Sequence, residues 1–488
     1  MNLSLFAPEL SLVATAVVVI LLDLFTQRKW LLTLISVIGL AVSAGFVIFM
    51  VNSGNAPQAI FNNMLAVDNF ALFFKLLFIG IAGLVILASV DYVQKFTSFH
   101  GEYHALVLLS ALGMLLMAAT TNLIAIYIAL ELASISLYVL AGFLKDPRST
   151  ESSLKYMLLG ATSSAVLLYG MALVFGYTGT TQLGEIAATI QGMTLATANT
   201  SPALILGIVL LVAGFGFKIA AVPFHMWVPD VYEGAPTPVV AYLSVGSKAA
   251  GFAVILRVFY SAFGLPDWLS LDWGIVFAVL ATIGMFLGNV TALPQANIKR
   301  MLGYSSIAQA GYLMVGLATM GVSPATDLLG QSAILFFLVS YAFANLGAFT
   351  AIIAISNKLN SDLIEDYSGM GKRAPLLALG LTLCLISLIG MPPAAGFMAK
   401  FYIFSGAVKN GLLWLVIIAV INSVISAYYY LRVVKVMWLG KPASDEKVPS
   451  SGALRLALSL ACLGVLFVGI APAFAMKAAE FAARMFAS

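Results

Sequence analysis

The sequence predicts an all-α polytopic membrane protein of about fourteen transmembrane helices. Three observations carry that prediction: 62% of the 488 residues are hydrophobic, only 9% are charged, and apolar runs of about 20 residues recur along the whole length. Mean hydropathy is +1.04. The 24 basic and 20 acidic side chains are too few to cover a soluble fold of this size. A soluble enzyme is therefore excluded, lipid is the expected surrounding, and no nucleic-acid partner is expected.

A helix needs about 20 apolar residues to cross roughly 30 Å of hydrocarbon. Such runs stand near 5–25, 31–51, 70–90, 104–120, 121–143, 154–177, 202–222, 238–260, 272–292, 302–320, 328–354, 375–408, 412–434 and 453–472. The first lacks the basic start and small-residue cleavage site of a secretory signal peptide, so it is expected to stay as a helix. The fourth and fifth are separated only by "ATTN". The run 375–408 contains Pro392 and Pro393 and is long enough for two half-helices. After about residue 473 only a short tail is expected.

Alternating loops divide the basic residues unevenly. One set holds sixteen: Arg28, Lys29, Lys95, Lys145, Arg148, Lys155, Lys299, Arg300, Lys358, Lys372, Arg373, Arg432, Lys435, Lys441, Lys447 and Arg455. The other holds Lys409, Lys477 and Arg484. The positive-inside rule then predicts a cytoplasmic face for the rich set and both termini on the outer, periplasmic side.

Five basic residues fall inside predicted spans: Lys75, Lys218, Lys248, Arg257 and Lys400. Glu131 is read as the one acid near mid-span, with Tyr127 and Ser134 a helical turn to either side. Each such group costs several kcal/mol to bury and is ordinarily kept for a pathway, a partner or an ion. For Glu131 the plainer alternative is a static ion pair between helices. For Lys248 it is a snorkelling packing residue, and Lys75 and Arg257 lie near enough to span ends to snorkel as well.

Two proline breaks accompany the lysines. Pro223 follows Lys218 in "FKIAAVPFHMW", and Lys400 follows Pro392 and Pro393 in "GMPPAAGFMAK". His225 sits at the first break, placed either to relay a proton or to pin the loop through Asp230. "GFGFK" at 214–218 and "GFMAK" at 396–400 share Gly, Phe and Lys at the same offsets, a short hint of two related halves. Gln295, Lys299, Arg300, Tyr304, Ser305, Ser306 and Gln309 form a polar cluster at the mouth of the tenth span. Cys384 and Cys462 stand alone in apolar runs, short of a zinc or iron–sulfur ligand set, and no GxGxxG or GxxxxGK[ST] pattern offers a nucleotide site.

The segments "ALELASISLYVL", "FGFKIAAVPFHMWVPDVYEGAPTPVVAYLSVGSKAAG", "NIKRMLGYSSIAQAGY" and "GMPPAAGFMAKFYIF" resemble the antiporter-like membrane subunits of respiratory complex I, a family shared with Mrp-type sodium/proton antiporters. Its N-type branch, which includes subunit 2 of the mitochondrial complex and of the chloroplast and cyanobacterial dehydrogenase, is the most similar. The resemblance implies an N-terminal three-helix segment over 1–103, two inverted five-helix bundles over 104–260 and 272–434, each with a broken helix, and a last helix and short tail over 435–488. It implies proton transport through Glu131, Lys218, Lys248 and Lys400, and His225 is carried as a further relay candidate. The resemblance implies a Glu131–Lys218 pair whose separation pushes the proton toward Lys248 and Lys400; moving opposite charges from 4 Å to 8 Å changes their interaction by about 2 kcal/mol at an effective dielectric near 20, enough to bias a transfer. The chain is expected to bind no cofactor. NADH, quinone, FMN and iron–sulfur clusters are implied on other subunits of an NADH-quinone oxidoreductase, and neighbouring membrane-arm subunits are the implied partners. The implied location is the bacterial inner membrane, or the thylakoid for a photosynthetic relative. A stand-alone or Mrp-type antiporter is the alternative. The thirteenth span lacks a mid-membrane acid or base and carries Asn422, Ser423 and Ser426 instead.

Overall fold

In hydrocarbon every backbone N–H and C=O must be satisfied within its own segment, so long apolar runs fold as helices. The computed structural model, which describes residues 3–54, 56–93, 99–192, 202–263, 267–319, 328–442 and 446–486, contains twelve helices long and apolar enough to cross a membrane. Lys95 lies outside the described residues.

The chain opens with α1 (Ala7–Phe25), α2 (Trp30–Ser53) and α3 (Asn69–Val93). A small antiparallel hairpin, β1 (Gln58–Ile60) and β2 (Leu65–Val67), joins α2 to α3, with Gln58 opposite Val67. Next come α4 (His100–Ala119), α5 (Leu123–Ala141) and α6 (Pro147–Thr178). The last starts seven residues before the expected 154 because Pro147 suits its first turn and Asp146 caps it, accepting from Ser149 N at 2.8 Å. The short α7 (Leu183–Gln191) precedes α8 (Pro202–Ile219), α9 (Trp227–Gly234) and α10 (Thr237–Tyr242). A π-helical turn, Leu243–Ser247, carries α10 into α11 (Lys248–Ala262).

The second part comprises α12 (Asp267–Ala292), α13 (Ile298–Leu317), α14 (Leu329–Leu359), α15 (Pro375–Ile389), α16 (Ala395–Lys409), α17 (Leu413–Leu439) and α18 (Gly452–Ile470). The fourteen expected runs are thus all helical. Two fall outside the twelve: α13, which is less apolar, and the run 375–408, which divides at 390–394 into α15 and α16. The expected short tail is itself a helix, α19 (Pro472–Ala483), packed on α3 and α14.

Helix α14 organises the packing. At 31 residues it is about 46 Å long, and it touches α3, α10, α15, α16, α18 and α19. Closest approaches use glycine: a Cβ on Gly170 of α6 meets the Gly207 carbonyl of α8 at 2.8 Å, and a Cβ on Gly207 meets the Gly170 carbonyl at 3.1 Å. That mutual contact sets α6 tightly against α8, and with it Ser163 and Ser164 near Lys218.

Candidate functional site

Helix α5 begins at Asn122, whose side chain accepts from the backbone N–H groups of Ile124 and Ala125. Two to three turns on, Glu131 accepts a hydrogen bond from Ser164 of α6. Lys218 closes α8, just before Ala220 turns the chain at φ +62°. Its Nζ donates to Ser134 Oγ at 2.9 Å, and Ser134 donates in turn to the Leu130 carbonyl at 2.6 Å. Glu131 and Lys218 make no direct ion pair. In place of a direct contact, Ser134, Tyr138, Ser163, Ser164 and Lys218, together with Leu130, Leu167 and Phe217, line a cavity of about 10 Å³, room for roughly one water.

Lys248 follows the π-helical turn and is fully buried. Its Nζ donates to the Ser306 carbonyl and lies 5.9 Å from the Tyr341 ring centre. The Ser306 hydroxyl is hydrogen-bonded to Tyr232 and Tyr341, each at 3.2 Å. Tyr156, whose ring stacks on Trp227, and Ser247, beside Lys248, are both buried.

Lys400 lies in α16, past the second break. Its Nζ donates to the Ile389 carbonyl at 2.8 Å and to Ser423 Oγ at 2.7 Å, and sits 4.4 Å from the centre of the Tyr312 ring. Gly390 makes room for it: with φ +91°, a Cβ there meets Lys400 Cδ at 2.9 Å. Gly390→Ala is expected to add about 1–2 kcal/mol of backbone strain and to push the lysine stem aside while the fold persists; a thermal melt checks it. A cavity of about 910 Å³, lined in part by Gly390, Lys400, Phe404 and Ser423, opens beside the lysine.

The other basic residues in the spans behave differently. Lys75 pairs with Glu9 at 2.7 Å, both side chains 1% exposed. Arg257 grips Asp68 through two bonds of 2.8 and 3.0 Å and donates to the Ala118 carbonyl. Neither snorkels, because each has a carboxylate within the fold. Glu9, which the sequence reading did not single out, lies in the first turn of α1 and is a second acid buried in an apolar run.

His225 lies in the break after α8, half-buried, and its Nδ1 has no hydrogen-bond partner. It does not bond Asp230. Asp230 instead binds Lys155 at 2.9 Å and Arg300 at 2.8 Å, while Glu233 binds Arg148 and Arg300, each at 2.9 Å. This latch joins α6, α9 and α13. Partial burial pushes the Asp230 carboxyl up, but the hydrogen bonds from Lys155 and Arg300 outweigh it and hold the group below its ordinary 3.8. A depressed folded value contributes stability above the ordinary value that is lost as pH falls through the depressed one. Asp230→Asn is therefore expected to lower the melting temperature near neutral pH and to flatten its fall below about pH 4; melts across that range, at low and high salt, check it.

The sequence reading did not single out Ser164, Asn289 or Tyr312. Asn289 is fully buried in α12, where its amide donates to Tyr312 Oη and to Asn422 Oδ1, each at 3.3 Å, and accepts from Tyr429 Oη at 3.0 Å. An amide in the apolar run "FLGNVTA" was the available signal. Among the described residues no group of three or more His, Cys, Asp or Glu side chains is placed to hold a metal.

Residues 120–426 match the family described as NADH:quinone oxidoreductase/Mrp antiporter, transmembrane. The chain is 52% identical over 488 residues to NADH-quinone oxidoreductase subunit N of Dehalococcoides mccartyi, covering 99% of both proteins. The chain belongs to the subunit N family of NADH-quinone oxidoreductases. Among solved structures, a chain of respiratory complex I from Thermus thermophilus, determined with bound aureothin, is 32% identical, with a TM-score of 0.81 over 96% of this chain and 98% of that one. A chain of the membrane-bound sulfane sulfur reductase, an archaeal respiratory membrane complex, is 28% identical, with a TM-score of 0.86 over 100% and 97%. A subunit N family member is thus a multi-pass membrane protein whose fold is shared by chains of these two respiratory assemblies.

Proposed function

We propose that this subunit N family member moves protons in the membrane arm of an NADH-quinone oxidoreductase, with electron transfer from NADH to quinone carried out on neighbouring subunits. One observation carries the reading. Of the five basic side chains that the sequence places inside the spans, Lys75 and Arg257 are ion-paired, whereas Lys218, Lys248 and Lys400 are buried with only neutral hydrogen-bond partners. A static charge gains by keeping its counterion. A group that must take up and release a proton keeps neutral partners that tolerate both forms. Glu131, linked to Lys218 through the serine-lined gap, is the input at one end of the row and Lys400 the other end. His225 is a secondary candidate, on its unpartnered ring nitrogen.

The same reading takes 104–260 and 272–434 as two inverted bundles flanked by an N-terminal segment over 1–103 and a C-terminal one over 435–488. A repeated local device supports it. Leu123 N bonds Thr181 O and Leu183 N bonds Thr121 O beside the Asn122 cap, and Ile298 N bonds Asp362 O and Ile364 N bonds Ala296 O beside the Asn297 cap. Counted from these caps, Glu131 and Ser306 fall at the same offset. The Lys- and Arg-rich face, including the Asp230 latch, is taken as cytoplasmic and both termini as periplasmic.

The test is purification of the native assembly, with NADH:quinone reduction and proton uptake measured in proteoliposomes for the parent and for Glu131→Gln, Lys218→Ala and Lys400→Ala. Assembled variants that pump like the parent refute the proton path. Sodium/proton exchange by the chain purified without redox subunits would favour the antiporter alternative.

A further inference from the structure

A buried ammonium ordinarily needs a carboxylate nearby, and Lys400 has none in its surroundings. The six helices α13 to α18 contain no Asp or Glu at all. Apart from Lys400, the buried titratable groups in these helices are Lys299, which pairs with Asp362 at 3.0 Å, and a set of phenols and one thiol: Tyr312, Tyr341, Tyr429, Tyr430 and Cys384. The Ile389 carbonyl and Ser423 hydroxyl bind two of the ammonium's three donors. What faces the remaining charge is the ring of Tyr312, 4.4 Å away and itself fully buried.

An aromatic face carries negative quadrupole potential, and the attraction grows when water is excluded. The ring is held from behind, since Tyr312 Oη accepts from the Asn289 amide, which Tyr429 and Asn422 fix in turn. We propose that Tyr312 is the positioning residue of Lys400: its ring face takes the place of a counterion, and Asn289 holds that face toward the ammonium. The inference rests on the proton-path reading and specifies how its last lysine stays chargeable among helices without acids. A neutral partner suits a relay better than a carboxylate, because it stabilises the charged lysine without becoming an uncompensated buried charge when the proton leaves.

The test uses the assembled complex in proteoliposomes, with residue 312 replaced by phenylalanine and then by mono-, di- and trifluorophenylalanine. This series keeps ring size and shape while draining charge from the ring face, so folding is preserved. Tyr312→Phe keeps the ring and loses only the bond from Asn289, so it should shift the alkaline limb as Asn289→Leu does and less than Tyr312→Leu. Successive fluorines should shift the alkaline limb of the pumping profile to lower pH, by about one unit in total, with Tyr312→Leu shifted at least as far. Asn289→Leu, which frees the ring, should shift it in the same direction. A limb that stays in place across the fluorinated series overturns the inference, as does a Tyr312→Phe variant as impaired as Tyr312→Leu, since the hydroxyl would then be the working group. Lys400→Ala in the same assay separates the two readings: full pumping there removes the proton path itself, whereas lost pumping with an invariant fluorine series removes only the role of Tyr312.

Discussion

Lys218→Ala is expected to reduce proton pumping by about 10²-fold or more in complexes that still assemble, with Glu131→Gln close behind. The argument rests on geometry. Lys218 is the group through which the serine-lined gap beside Glu131 meets α11, where Gly251 lets the lysine stem pack closely: a Cβ on Gly251 would meet Lys218 Cγ at 3.3 Å. An alanine at 218 leaves Ser134 without its donor and removes the lysine that the proposed path places between Glu131 and Lys248. Removing Lys218 breaks no direct ion pair, because its hydrogen-bond partner Ser134 is neutral. The fold should therefore survive, and quinone reduction measured beside proton uptake separates lost coupling from lost assembly.

The opposite outcome is expected at Glu9. Both it and Lys75 are sealed from solvent and bonded at 2.7 Å, so Glu9→Ala strands an ammonium in an apolar segment and should cost about 3–5 kcal/mol of stability. Thermal melting of the purified protein or assembly reads this directly. Replacing both members with apolar residues, Glu9→Leu with Lys75→Leu, should recover most of the loss, as a purely structural pair requires. A double variant as unstable as the single one would mean that the pair does more than neutralise itself.

The contrast between these two sites shows where sequence reasoning succeeded and where it stopped. The membrane class and the positions of the helices followed from hydropathy, because the hydrocarbon layer imposes a length and an internal hydrogen-bonding rule that any spanning segment must meet. The breaks near Pro223 and Pro392 were equally visible, because proline removes a donor wherever it stands. Glu131, Lys218, Lys248 and Lys400 stood out because burying a charge is costly irrespective of its neighbours.

Pairing was not visible, since it depends on which helices meet. Lys75 and Lys248 look alike as lysines in apolar runs, yet one reaches Glu9, 66 positions earlier, and the other only the Ser306 carbonyl and the face of Tyr341. The chemistry of Lys400 is likewise assembled from α12, α13, α15 and α17. The sequence by itself determined that this is a many-helix membrane protein carrying a few charges inside its apolar runs. Only the tertiary structure decided which of those charges are neutralised and which stay poised, because counterion distance is a property of helix packing and not of spacing along the chain.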